Sequence, residues 1–220
     1  MSLRKDIATL IEAGRLDEIA SLAERSSSVP TILMSRLYDA NAVARWRAAD
    51  AMGRACAILA QRAPDKVRQV LQRLVWALND ESGTTGWGVP QAIGEIICRD
   101  SALAREFAPM LVAYLQDEDV AVGTDVLVHG VVHAIGRAAE RDADIVRPAV
   151  PALQSLLADP NATTRGLAAW ALGRIRAKEA SPHVQALLQD AAPAELYQAG
   201  ELVRTDVATL ASQALAALRT

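Results

Sequence analysis

Asp125, His129 and His133 recur every four residues and are the first candidates for chemistry in this chain. On a helix that spacing places all three on one face, where adjacent pairs can chelate a metal. The full set spans about 12 Å at ~1.5 Å rise per residue, too far for one ion, so Glu95 would have to complete any site. Two histidines that hydrogen-bond locally give the same spacing and are the simpler reading, so no metal and no cofactor are expected. Trp46 precedes Asp50 by four residues, setting an indole beside a carboxylate that could stabilise a developing cation. Asp50 and Arg54 at the same spacing also make an ordinary ion pair, worth about 0.3–0.5 kcal/mol. In Asp80–Gly86, Gly83 and Gly86 bracket Thr84 and Thr85 ahead of a helix start able to receive an anion, but P-loop spacing and its lysine are missing. That stretch reads as a connection. Cys56 and Cys98 fit no zinc motif or disulfide framework and read as packed thiols, and no nucleophile motif occurs.

The elements that must carry these residues are helices. The 220 residues are 51% hydrophobic but only 4% aromatic, so the core is built from Ala, Leu, Val and Ile. Ala and Leu lose little on entering a helix, and strand-favouring residues are sparse. Helices are expected over residues 3–13 and 16–23, with Gly14 ending the first. Further helices fall at 30–38, 42–61, 64–79, 90–99, 103–115, 125–141, 145–157, 164–177 and 181–188. A last helix ends at Arg219, and residues 191–200 read as a less regular stretch before it. A net charge of −3 and a pI of 5.7 argue against nucleic acid, which is held mainly through a basic excess. No apolar run reaches the length of a membrane span and the N-terminus lacks a signal core, so a cytoplasmic protein is expected.

The helices repeat. Ala51-Met52-Gly53-Arg54, Ala92-Ile93-Gly94-Glu95, Ala134-Ile135-Gly136-Arg137 and Ala171-Leu172-Gly173-Arg174 recur, with a weaker copy at Ala214-Leu215-Ala216-Ala217. The anchors are spaced 94 − 53 = 41, 136 − 94 = 42, 173 − 136 = 37 and 216 − 173 = 43 residues apart. Helix pairs at a period of ~40 are the signature of a solenoid. An all-α, right-handed superhelix of about five helix pairs over residues 28–220 is expected, with residues 1–27 as an N-terminal cap. Counting from each glycine as zero, Ala at −2 and the residues at −1 and −5 make the buried stripe. Small residues there let helix backbones approach, and enlarging one costs ~1–3 kcal/mol.

Asp159-Pro160, Thr164-Arg165, Ala168-Ala169 and Ala171-Leu172-Gly173-Arg174-Ile175 together resemble the HEAT-repeat family, in the short form of phycobilisome-lyase-like HEAT proteins. Asp39 and Arg45 keep the separation of Asp159 and Arg165 in an earlier repeat. The resemblance implies a curved stack, first helices convex and second helices concave, and no particular activity. It leaves three enzymatic alternatives: a bilin lyase, a metal-dependent enzyme, and a glycosylase acting on alkylated DNA. The HEAT-repeat enzyme deoxyhypusine hydroxylase holds iron on His-Glu dipeptides, and this chain has none.

Positions −7, −3 and +1 share the remaining face of each second helix. They are Trp46, Asp50, Arg54; Trp87, Gln91, Glu95; His129, His133, Arg137; and, in the fourth repeat, Gly166, Trp170, Arg174, with Thr209, Gln213 and Ala217 in the fifth. Neighbouring helices lie ~8–10 Å apart, so these side chains should form one surface. It could be a solvated helix edge. Trp and Arg are enriched at interaction hot spots, so a groove binding another protein is the sharper expectation, and a non-enzymatic scaffold the favoured function.

Overall fold

The computed structural model describes residues 2–78, 86–117 and 124–219, so the loop at 80–85 and the acidic pair Glu118-Asp119 lie outside it. The chain opens with Leu3–Glu12 (α1) and Leu16–Arg25 (α2), turned by Gly14 at φ 69°. Five helix pairs follow among the described residues, the last, at 181–185 and 207–218, interrupted by a hairpin. Val29–Met34 (α3), extended by a 3-10 turn at Ser35–Tyr38, precedes Ala42–Ala60 (α4). Pro64–Leu78 (α5) precedes Val89–Ile97 (α6), and Ser101–Gln116 (α7) precedes Asp125–Arg141 (α8). Ala143–Val146 (α9) and Val150–Ser155 (α10), joined through a 3-10 turn, precede Ala162–Ile175 (α11). Prolines at the first turns of α3, α6, α10 and α12 (Ser181–Gln185) start those helices where a missing N–H costs nothing.

The second helices stack in chain order, α4 on α6, α6 on α8, α8 on α11 and α11 on the last helix, Val207–Leu218 (α13). Before them, α2 packs along α4. The result is the expected right-handed α-α superhelix. Ala51, Ala92, Ala134, Ala171 and Ala214 are all buried, as are Ala48, Val89, Val131, Ala168 and Ala211. The repeated glycine marks where one second helix meets the next. A Cβ on Gly94 would lie 2.5 Å from Ala134 Cα, and one on Gly173 would lie 2.8 Å from Ala214 Cα. At Gly53 the obstruction is the Glu95 carbonyl, and at Gly136 it is the Trp170 ring.

The Asp-to-Arg spacing also acquires a cause. Arg45 Nη1 donates to the Asp39 carbonyl at 2.7 Å, and Arg165 Nη1 to the Asp159 carbonyl at 2.8 Å. In both repeats the aspartate Oδ1 accepts the amide of the asparagine two residues on, Asn41 or Asn161. That asparagine then caps the second helix, accepting from Ala44 or from Thr163 and Thr164. The pattern is a turn lock shared by these two repeats.

One element departs from the all-helical expectation. Residues 193–198, read as irregular, form strand β1 (Pro193–Gln198), and residues 201–206, read as leading into the last helix, form β2 (Glu201–Asp206), the two paired as an antiparallel hairpin between α12 and α13. Ala199 at φ 52° and Gly200 at φ 86° make its two-residue turn, the backbone pattern that matches strand twist. Alanine in the left-handed region costs about 1–2 kcal/mol, so the turn is strained.

Candidate functional site

Tyr197 of β1 lies on the concave face and organises it. Its ring stacks on Trp46 of α4 at 5.2 Å between centroids, and its hydroxyl donates to Asp50 Oδ2 at 3.3 Å. His133 of α8 meets Trp46 edge-on at 4.6 Å and stacks on Trp170 of α11 at 5.2 Å. Trp46, His133, Trp170 and Tyr197 thus form one aromatic cluster drawn from four elements. The rest of the hairpin crosses the same face. The Glu195 amide donates to Thr163 Oγ1 at 3.3 Å, and Arg47 Nε donates to the Gly200 carbonyl at 2.9 Å. Arg47 also pairs with Glu201, so the hairpin ties the last helix pair back to the first.

Beside the aromatics runs a chain of alternating charges. Arg54 joins Asp17 at 2.6 Å and Asp50 at 2.8 Å. Arg99 joins Asp50 at 3.2 Å and Glu95 at 2.6 Å, and Arg137 joins Glu95 at 2.8 Å. Arg137 then reaches Glu140, which Arg174 approaches at 3.5 Å. Glu95 is 3% exposed, so its charge depends on these partners. Burial alone would push its carboxyl up, but Arg137, with His133 and Arg99, outweighs that and holds it below the usual carboxylate range. Burial pushes the Cys98 thiol up to about 11 and the Cys56 thiol up to about 12, so both stay protonated near neutrality. A cleft of about 150 Å³ opens between this charge row and the β1 end of the hairpin, lined by all four arginines.

The structure divides the expected row. Asp50, Arg54, Glu95, His133, Arg137, Trp170 and Arg174 line that cleft. Trp46, Gln91 and His129 line a second hollow of about 180 Å³ at the other ends of the same helices, with Arg45 and Glu195. Trp87 falls in neither. It precedes α6 in a turn, 40% exposed, with the Arg45 guanidinium 5.6 Å from its ring centre. A −7 position presumes helix where α6 has not begun. The solvated-edge reading also fails, because Trp46, Asp50, Gln91, Glu95, His133 and Trp170 are all buried. What covers much of the face is the chain's own hairpin.

The histidines do not converge. His129 Nε2 pairs with Thr164 Oγ1 at 3.0 Å while His133 is held among the rings. Among the described residues no three His, Cys, Asp or Glu side chains are placed to hold a metal. Tyr197, Arg47, Arg99 and Glu140 escaped the sequence reading. Arg99 and Glu140 lie about one turn beyond the row's last position, and Arg47 is not in it. The hairpin's signal is an Ala-Gly pair between two short runs that contain Leu196, Tyr197, Leu202 and Val203.

His133 makes the site acid-sensitive. Complete burial pushes its pKa down to about 4 from an ordinary 6.5, against the opposing charge of Glu95. The unfolded chain therefore takes up this proton first. Its contribution is fully present above pH ~6.5, is lost as pH falls toward 4, and totals on the order of 2–3 kcal/mol. Glu95 is held below the usual carboxylate range, and burial lowers His129 in the same direction as His133. Urea melts at pH 7 and pH 5 should show a lower midpoint at pH 5, and His133→Phe should reduce that difference by at least half.

The comparisons with known proteins agree with this architecture. Residues 127–175 match the family model for the HEAT-like repeat. An uncharacterized protein of Archaeoglobus fulgidus is 28% identical over 186 residues, covering 82% of this chain and 92% of its own. A designed armadillo repeat protein superposes with a TM-score of 0.60 at 20% identity, covering 98% of this chain and 93% of its own. Another, solved in complex with the peptide (KR)4, gives 0.58 at 18% identity over 99% of this chain and 100% of its own. No helix among the described residues is long and apolar enough to cross a membrane. Residues 127–175 thus carry a HEAT-like repeat, and the described residues have the fold of an armadillo-like α-α solenoid.

Proposed function

We propose that this protein is a non-enzymatic scaffold that binds an extended segment of another protein along its concave face. One observation carries the reading: the face already holds an extended segment, β1, through ring stacking and through hydrogen bonds that β1 donates to Asp50 of α4 and Thr163 of α11. The superposition on a designed armadillo protein solved with a peptide supports the same use of the fold. The binding surface is the row Trp46, Asp50, Arg54, Gln91, Glu95, His129, His133, Arg137, Trp170 and Arg174, with Trp87 at its margin. Arg174 is its most available contact, with its side chain 48% exposed over the Trp170 ring. The bilin-lyase alternative has less support. A cleft of about 150 Å³ is small beside the ~300–1,000 Å³ of pockets that enclose larger ligands.

Selection from a random peptide display library tests the proposal. Wild-type protein should enrich a peptide family whose binding falls at least tenfold in Arg174→Glu, with helical content unchanged. No enrichment, or equal binding to the variant, contradicts it.

A further inference from the structure

The hairpin is held on one side only, by β1, whose Ala194 and Leu196 join the hydrophobic core, and by side-chain contacts at Tyr197 and the turn. Tyr197, Leu196 and Ala194 of β1 are buried, whereas Val203 of β2 is 45% exposed. Its anchors on the first repeat are few: the Tyr197 ring and hydroxyl, and the Arg47 contacts to Gly200 and Glu201. The face beneath it is electrostatically complete without it. Asp50 keeps Arg54 and Arg99 as partners at 2.8 and 3.2 Å, and the phenol adds only a longer bond of 3.3 Å. Lifting the hairpin therefore strands no buried carboxylate. The second helices α11 and α13 pack directly on each other, so stacking of the last pair does not depend on the strands. The turn at Ala199 holds a non-glycine residue in the left-handed region, which weakens the docked state.

Resting on the binding proposal above, we propose that residues 193–206 are a tethered occupant of the concave face, and that the partner segment competes with them. The partner's chemistry follows from the occupant's. It presents a tyrosine in extended backbone that stacks on Trp46 and reaches Asp50, then reverses in a two-residue turn so that a carboxylate four residues on meets Arg47. A face closed most of the time binds with an affinity reduced by the fraction that is open. Loosening the hairpin strengthens capture of such a segment, and tightening it weakens capture.

The test uses the full chain and a fluorescein-labelled synthetic peptide copying residues 193–206, read by anisotropy. Tyr197→Ala removes the stacked ring. Glu201→Lys replaces an exposed anchor and leaves the core untouched, so it remains informative if the first variant loses helicity. Both are expected to bind the peptide about tenfold or more tightly than wild type. Ala199→Asn suits the left-handed turn and is expected to bind several-fold more weakly. A peptide carrying Tyr197→Ala should not bind any of them. Equal affinity across the wild type and the three variants overturns the proposal, as does no binding by any. If library peptides still bind through Arg174 in either of those cases, scaffold function stands and only hairpin competition falls. If they do not, both fall.

Discussion

Gly94→Ala is expected to destabilise the protein by about 2–3 kcal/mol, although the same change in an exposed helix stabilises by about 1 kcal/mol. The added Cβ would lie 2.5 Å from Ala134 Cα and 2.7 Å from Ala134 Cβ. Backbone cannot rotate away as a flexible side chain can, so α6 and α8 must separate. Separation loosens contacts along the stacked face, and overpacking of this kind outweighs the gain in helix propensity. The melting temperature should drop by about 5–10 °C for a chain of this size. Ala113→Val, on the exposed side of α7, should change it by about 1–2 °C at most. A neutral or stabilising Gly94→Ala would mean that the helices are not in contact at their repeated glycines.

Glu95→Ala is expected to cost about 2–4 kcal/mol. The carboxylate is nearly inaccessible and bridges Arg99 and Arg137, whose side chains are only 23% and 24% exposed. Removing one member of a buried ion cluster leaves charges that were desolvated on the expectation of a partner, at a cost of roughly 3–5 kcal/mol. The value here is reduced because Arg99 retains Asp50 and Arg137 retains Glu140. Glu140→Ala, at the rim of the same chain of charges, should cost under about 1 kcal/mol. Urea melts of both variants at two salt concentrations check the contrast. Comparable losses would show that Glu95 is solvated, and that the charge row is a surface feature.

The solenoid was legible in the sequence because backbone approach dictates it. Glycine at zero and alanine at −2 are needed wherever one second helix touches the next, so the period appears in the residue types themselves. The turn lock was visible as a spacing, Asp39 to Arg45 and Asp159 to Arg165, before its hydrogen bonds gave it a cause. The hairpin was obscured because it interrupts the last repeat, has no period, and turns on Ala-Gly rather than a stronger turn pair. Its effect could not be read locally at all, since Tyr197 reaches Asp50 from 147 residues away. Counting along single helices therefore put Asp50, His133 and Trp170 on one face, where they line a cleft, but gave no sign that β1 covers it. It also put Trp87 on a helix that starts two residues later.

One chain both builds the concave row and covers it, through a tyrosine lying on Trp46. Proton–proton NOEs from the Tyr197 ring in a uniformly labelled sample test this most directly. With ring centroids 5.2 Å from Trp46 and 6.4 Å from His133, cross-peaks to the Trp46 indole should be strong and those to His133 weaker. The stacked Tyr197 protons should also shift upfield. Tyr197 resonances at their random-coil positions, with no cross-peak to Trp46, would show the face to be uncovered and would contradict the account.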